Sequence, residues 1–333
     1  MNAITHKAYA RAGLIGNPSD GYNGKTIAFI VRNYCALVTL TASENIEFLA
    51  GDNDHNRYQD VYSLRKHVVS HGYYGGIRLM KATVKRFVDY CVSNQIDLNK
   101  AKGFSRTYRS DIPQQVGMAG SSAIIIATLR CLMTHYGVDI DKRVQPSLAL
   151  SVERDELGIG GGLQDRVAQV YEGMVAMDFS RMQQVQGYEC GHYTPLSPAL
   201  LPPVYIAYRP ASSEPTEVFH NDLRSRYDAG ETKVVEAMQR FAQLTDQAVE
   251  CLQQRNADKL GKLLDANFDC RQAFCALNPQ HVEMIEHARA VGVSAKYAGS
   301  GGAIVGTYRD AQQFEELRQT MNQIGCVLIQ PVV

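Results

Sequence analysis

The chain has no CxxC pair, no HxH or HExxH arrangement and no block of like charge, and no apolar run approaches the ~20 residues needed to span a bilayer. Each absence removes a class of protein. The eight cysteines, at 35, 91, 131, 190, 251, 270, 275 and 326, are scattered, which suits reduced thiols better than a disulfide framework. Cys190-Gly191-His192 comes nearest to a metal box, but it has no second half, and zinc needs three or four converging ligands. The 34 basic residues balance 34 acidic ones, so nothing calls for nucleic acid or an anionic membrane as partner. The opening MNAITHKAYARAGLIG lacks the apolar core, about 7–15 residues long, of a signal peptide. The expected compartment is the cytoplasm and the expected partner a small molecule.

At 333 residues the chain is about twice the typical domain length, so two domains sharing a cleft are expected. The stretch PLSPALLPP at 195–203 hinders continuation of helix or sheet through its four prolines. It divides a unit 1–194 from a unit 204–333. Strands are expected over 26–40, 101–111 and 173–179, in VYIAY, and in the final CVLIQPVV. Helices are expected around Met80 to Cys91, from Ser121 to a stop at Gly137, over 146–157, in three patterns between 230 and 291, and at 311–323. Strands and helices in both halves, without regular βαβ alternation, predict an α+β fold.

Three segments have the residue types that chemistry requires. In PQQVGMAGSSA, residues 113–123, Gly117 and Gly120 allow a tight backbone turn that runs into a helix N-terminus, where unpaired N–H groups and the helix dipole favour an anion. Read alone, Gly120, Ser121 and Ser122 could equally be a helix cap. The segment is not a Walker loop, because it has no lysine. In ERDELGIGGGLQDR, residues 153–166, Glu153 and Asp165 flank three glycines. Such a pair suits one metal ligand and one proton acceptor, or a solvated helix end with Arg154 and Arg166 as charge partners. In KYAGSGGA, residues 296–303, the glycines at 299, 301 and 302 permit close backbone approach or a simple turn.

Together, in this order and across nearly the whole chain, the segments resemble the motifs of the galactokinase, homoserine kinase, mevalonate kinase and phosphomevalonate kinase (GHMP) superfamily. Its N-terminal motif is matched by ARAGLIGNPSDGYNG at 10–24. NPSD at 17–20, GMAGSSAI at 117–124, GLQDRVAQVYEG at 162–173 and KYAGSGGA at 296–303 are more closely similar to the plant-type glucuronokinases, which share one extra residue in the central loop.

The resemblance implies a two-domain kinase with its active site in the cleft. Such an enzyme transfers the γ-phosphoryl group of ATP to the anomeric hydroxyl of D-glucuronate. It further implies that Ser122 and Glu153 hold Mg²⁺, that the backbone of Gly117, Ala119, Gly120 and Ser121 binds phosphate oxygens, and that Gly299, Ser300 and Gly301 join them as nucleotide-binding positions. Asp165 would orient or deprotonate the sugar hydroxyl, and Arg11 would offset charge developing between sugar and phosphate.

Asp20 stands where these sugar kinases place an acceptor for sugar hydroxyls, though beside Gly21 it also suits a turn. Asn17-Pro18 replaces the Glu-His of galactokinases and argues against galactose, while Glu217 occupies a place where a basic residue is expected. A uronate carboxylate needs a cation, ideally a bidentate arginine. Arg166, Arg57 and Arg65 are the candidates. The alternatives are a 1-kinase for galacturonate or another sugar, and a non-catalytic sugar sensor; a sensor would be expected to have lost a metal ligand or the base, whereas Ser122, Glu153 and Asp165 are all present.

Overall fold

The β-branched stretch expected as one or two strands over 26–40 is a single 19-residue strand, Lys25–Ser43, in the computed structural model. The structure describes residues 3–49, 59–60, 75–98, 103–210 and 223–333. The first sheet is assembled around this strand. β1 (Ile4–Ile15) runs antiparallel along β2 (Lys25–Ser43). β3 (Glu47–Phe48) pairs in parallel with β4 (Gly103–Ser110), which pairs with the second half of β2. β5 (Met174–Val185) takes the first half of β2, and β6 (Tyr188–Leu196) forms a hairpin with β5.

β1 and β6 are not foreseen from the sequence. β1 reads ITHKAYARAGLI, and its alanines and glycine are poor strand formers. It is a strand because β2 satisfies its backbone along one edge and helices bury it from Ala8 to Ile15. Small side chains let those helices approach.

The helices of this half are α1 (Gly76–Ser93), α2 (Gly120–Tyr136), α3 (Val144–Ser151) and α4 (Gln164–Tyr171). α2 lies on β1 and β2, is buried on every side from Ser122 to Leu129, and ends at Gly137, whose left-handed φ of 68° turns its N–H onto the Met133 carbonyl. α3 does not stop at Ser151 but widens into a π turn, Val152–Glu156. An inserted residue of this kind rotates the following side chains by about 100° and recurs at functional sites.

The sheets change over between Leu196 and Val204, through a short 3₁₀ turn at Pro198–Leu200. The second sheet has β7 (Val204–Tyr208) between β10 (Val327–Ile329) and β9 (Ala303–Thr307), with β8 (Lys296–Tyr297) beyond β9. Its helices are α5 (Thr232–Gln253), α6 (Ala257–Gln272), α7 (Pro279–Ala290) and α8 (Ala311–Gln323). The side chains of Asn256, Asn278 and Asp310 cap the last three, each accepting a backbone N–H of the first turn. No described helix is long and apolar enough to cross a membrane. All eight cysteines are free.

The main apolar core joins both sheets, with Phe29, Leu40 and Leu129 in the same cluster as Ile206, Leu244 and Val305, while a smaller cluster around Tyr205, Phe268, Met284 and Ile304 lies within the second half alone. The chain end also crosses back, since Arg32 N donates to the Val332 carbonyl at 2.7 Å and Val332 N to Asn33 Oδ1 at 2.8 Å. A shared core makes the two halves lose stability together. Urea unfolding followed by circular dichroism and by tyrosine fluorescence is therefore expected to give one coincident transition. Two separated transitions would contradict the shared core.

Candidate functional site

The central loop owes its shape to three left-handed residues, Gln115, Gly117 and Ala119. Gly117 has φ 71°, and a Cβ there would stand 2.8 Å from the Gly301 carbonyl oxygen. Ala119, at φ 64° and ψ 43°, is the N-cap of α2, and its carbonyl accepts Ala123 N (3.2 Å), Ser122 Oγ (3.2 Å) and Gln169 Nε2 (2.9 Å). Gly120, Ser121 and Ser122 thus form the first turn of α2, where N–H groups have no acceptor within the helix and the dipole is positive. The cap itself is Ala119, with no side-chain cap hydrogen bond, so Gly120, Ser121 and Ser122 do not cap the helix but follow the cap. A first turn of this kind favours an anion.

The late loop lies against the central one, backbone to backbone. A Cβ on Gly299 would overlap the Gly117 carbonyl, and one on Gly302 would come within 2.9 Å of Val116 Cα. Arg11, delivered by β1 and 5% exposed, ties the two together. Its Nη1 donates to the Gly117 carbonyl at 2.7 Å and to the Ala298 carbonyl at 3.0 Å. Its Nε and Nη2 both reach Asp165 Oδ1 at 2.7 Å.

Asp165 sits in the first turn of α4, directly after the glycine run, where a carboxylate complements the helix dipole. Gly162 is small because it must be: a Cβ there would overlap the Asp20 carboxylate. Asp20, on the 3₁₀ turn Ser19–Gly21, accepts Gln164 N at 3.3 Å. Burial, reinforced by the nearby charge of Asp165, pushes the Asp20 carboxyl up to about 6, against the opposing pull of Gln164 N, Arg11 and Arg166. Two of the three glycines therefore do allow a close approach: Gly162 to Asp20, and Gly161 to the Arg166 guanidinium, which a Cβ would meet at 3.3 Å.

Glu153 is buried on the π turn and forms an ion pair with Arg166, which is buried as well. Arg166 Nη1 also donates to the Gly162 carbonyl at 2.6 Å and lies 3.7 Å from Asp165 Oδ2. Arg166 is thus not a surface charge partner, and most of its donors are committed within the protein. Its Nε alone lacks a partner among the described residues. Arg57, Arg65 and Glu217 lie outside the described residues. Cys190 and His192 lie on β6, and the described residues contain no group of three or more His, Cys, Asp or Glu that could hold a metal ion.

The sequence reading assigned no role to Lys296, Arg271, Asn267 or Arg224. Lys296, 1% exposed, donates to the Gly13 carbonyl (2.7 Å), the Tyr297 carbonyl (2.8 Å) and Asn17 Oδ1. Asn267 accepts Gly16 N at 2.7 Å, and Arg271 holds the late loop. A signal for the last two was available: Leu260, Leu264, Asn267, Phe268 and Arg271 share the buried face of α6, and polar residues on an apolar helical stripe need a buried partner. Arg224 donates to the Gly21 carbonyl at 2.6 Å and stacks on Tyr22, beside Asp20.

A sequence model of the GHMP kinases N terminal domain matches residues 78–173. Over 309 residues the chain is 40% identical to "Glucuronokinase 1" of Arabidopsis thaliana, covering 91% of this chain and 84% of that protein. It is also 40% identical to "Probable glucuronokinase 2" of the same plant, over 90% of this chain and 83% of that one. The crystal structure of Lactococcus lactis galactokinase complexed with galactose matches with a TM-score of 0.77 at 15% identity, over 100% of this chain and 94% of that one. That last likeness is one of fold.

The raised Asp20 pKa has a consequence for stability. A carboxyl whose folded pKa is about 6, against an ordinary value of 3.8, takes up a proton on folding between those two values, so its ionisation costs stability as pH rises through that window and the full cost is present above it. Asp20→Asn is expected to raise Tm by a few degrees, about 2–4 °C per kcal/mol relieved, at pH 8. It should give no gain at pH 3.5. Differential scanning calorimetry at the two pH values checks this, and an equal shift at both would remove the buried charge as the cause.

Proposed function

The chain belongs to the glucuronokinases, a branch of the GHMP kinases, and from that membership we propose that it transfers the γ-phosphoryl group of ATP to the anomeric hydroxyl of D-glucuronate, giving glucuronate 1-phosphate and ADP. The observation that carries the reading is the Arg11–Asp165 pair set against both glycine loops. It puts a carboxylate beside the anion cradle.

In this mechanism the N–H groups of Gly117 to Ser121, at the positive end of α2, receive phosphate oxygens, and those of Gly299, Ser300 and Gly301 close the cradle from the other side. Asp20 accepts hydrogen bonds from sugar hydroxyls. Asp165, its Oδ1 held by Arg11, orients the anomeric hydroxyl and takes its proton through Oδ2 as the sugar oxygen bonds to the γ-phosphorus and the bond to the β-phosphate oxygen breaks. Arg11 offsets the charge that develops between sugar and phosphate.

Ser122 and Glu153 fit a Mg²⁺ site in kind. The Ser122 hydroxyl donates to the Ala119 carbonyl, which leaves its lone pairs for another partner, and Glu153 is a buried carboxylate of which Oε2 is paired with Arg166. Magnesium usually takes one or two carboxylates and completes its shell with water and substrate phosphates, so no larger acidic cluster is required. When bound, the ion would screen the charge on the β- and γ-phosphates.

For the uronate carboxylate, the candidate cations are Arg166, whose buried Nε has no partner among the described residues, and the exposed Arg224, which is bonded to the Gly21 carbonyl. The division into units 1–194 and 204–333 around a cleft, and a cytoplasmic location in keeping with eight free thiols, belong to the same reading. A non-catalytic sugar sensor is disfavoured because Ser122, Glu153 and Asp165 are all present.

A coupled ADP-release assay over glucuronate, galacturonate, neutral hexoses and mevalonate tests the function, with glucuronate expected to give the highest kcat/KM. Asp165→Asn is expected to lower kcat by about 10²–10⁴-fold, the usual contribution of a general base, while ADP binding survives. Near-native turnover in that variant would strip Asp165 of its role. Ser122→Ala and Glu153→Gln should instead raise the Mg²⁺ concentration needed for half-maximal rate, and an unchanged metal dependence would count against both.

A further inference from the structure

Four consecutive carbonyls of the late loop are each held by a buried cation. Lys296 Nζ donates to Tyr297 O at 2.8 Å, Arg11 Nη1 to Ala298 O at 3.0 Å, and Arg271 Nη1 and Nη2 to Gly299 O at 2.9 Å and Ser300 O at 2.8 Å. All three cations are at most 5% exposed. Arg271 reaches the loop from α6 and lies over the Tyr297 ring, 5.0 Å from its centroid, so its two prongs are held in one orientation.

Across a trans peptide plane the carbonyl of one residue and the N–H of the next point in opposite directions. With the carbonyls of 298, 299 and 300 turned onto the cations, the N–H groups of Gly299, Ser300 and Gly301 face the other way. The Ser300 N of this set lies close to the central loop, since a Cβ on Gly117 would stand 3.1 Å from it. Successive N–H groups with their carbonyls turned away form an anion-binding concavity.

The arrangement is costly unless an anion is bound in front of it. Lys296 pairs with no carboxylate among the described residues, only with neutral oxygens, and burial, with Arg271 and Arg11 nearby, pushes its ammonium well below the usual lysine range. Buried cations are expensive to maintain in a merely structural loop, where apolar side chains of similar volume would often serve as well.

We propose that Arg271, supported by Lys296, is the positioning residue that turns the N–H donors of the late loop toward the nucleotide phosphates. This role rests on the nucleotide-binding reading of the loop. Arg271 does not touch the nucleotide; it acts through the two peptide planes it holds.

Two variants test it. Arg271→Met removes both prongs, and Arg271→Lys keeps the buried charge but not the two-pronged grip. ADP binding by isothermal titration calorimetry is expected to weaken by about 10- to 100-fold in Arg271→Met, the loss that one or more charge-assisted hydrogen bonds represent, and by less in Arg271→Lys. The sugar KM at saturating ATP should stay within about twofold in both, the pattern of a defect confined to the nucleotide side. If Arg271→Met does not fold, Arg271→Lys decides. A folded variant with wild-type ADP affinity overturns the role, and so does an equal loss of sugar and ADP binding. A wild-type chain that binds no ADP at all overturns the nucleotide reading itself, which is a separate outcome because it needs no variant.

Discussion

A single guanidinium, that of Arg11, connects three segments that lie 106, 154 and 287 residues away from it in sequence. Its Nη1 takes one carbonyl from each glycine loop, and its Nε and Nη2 take one oxygen of Asp165. Only a planar fork with several fixed donors can satisfy three partners at once; a lysine ammonium has the charge without the geometry. Removing the fork would leave the part-buried Gly117 carbonyl and the Asp165 carboxylate without this donor, a penalty of up to about 1–3 kcal/mol for the neutral group and more for the charged one, while the Ala298 carbonyl would keep Gly13 N. The relative placement of base and phosphate cradle follows from this residue.

The glycines make that placement possible. Gly117 and Gly299 touch through their backbones, and Gly162 lets its chain lie against Asp20, each at a distance that no Cβ would allow. The same property serves ligand and fold. A loop with no side chains on its inner face brings N–H donors close to a phosphate, and it also lets two such loops pack as a seam. Glycine at these positions is therefore constrained from two directions.

Local features were legible in the sequence, and non-local ones were not. The helix from Gly120, its stop at Gly137, the helix at 311–323 and the strand through 26–40 follow from periodicity, capping and β-branched composition, all of which act over a few residues. β1 was hidden because its alanines form a strand only when β2 and the helices are in place. Arg166 was expected to face the substrate or the solvent, yet it is buried with Glu153, and that pairing depends on a π turn that no local signal announces. Lys296 illustrates the limit. It stood in plain sight in the KYAGSGGA motif, but a lysine is normally a surface residue, and only the tertiary structure shows three oxygens converging on it.

The site thus includes groups that individually work against folding: the Asp20 carboxyl, raised to about 6, and cations buried behind a glycine loop. Glycine in a left-handed turn loses much chain entropy on ordering, and a buried charge is costly to desolvate. Such a site persists because the surrounding structure determines its position. Here that structure is the apolar core that runs through both sheets, with Phe29 and Leu129 packed in one cluster with Ile206 and Val305. Because the core joins the half that carries Asp20, Asp165 and the central loop to the half that carries the late loop, the burial that stabilises the protein also sets the register of the two loops. If the halves had only the smaller clusters that each keeps to itself, the seam at Gly117 and Gly299 would depend on polar contacts alone, and these are the contacts that cost most when incomplete.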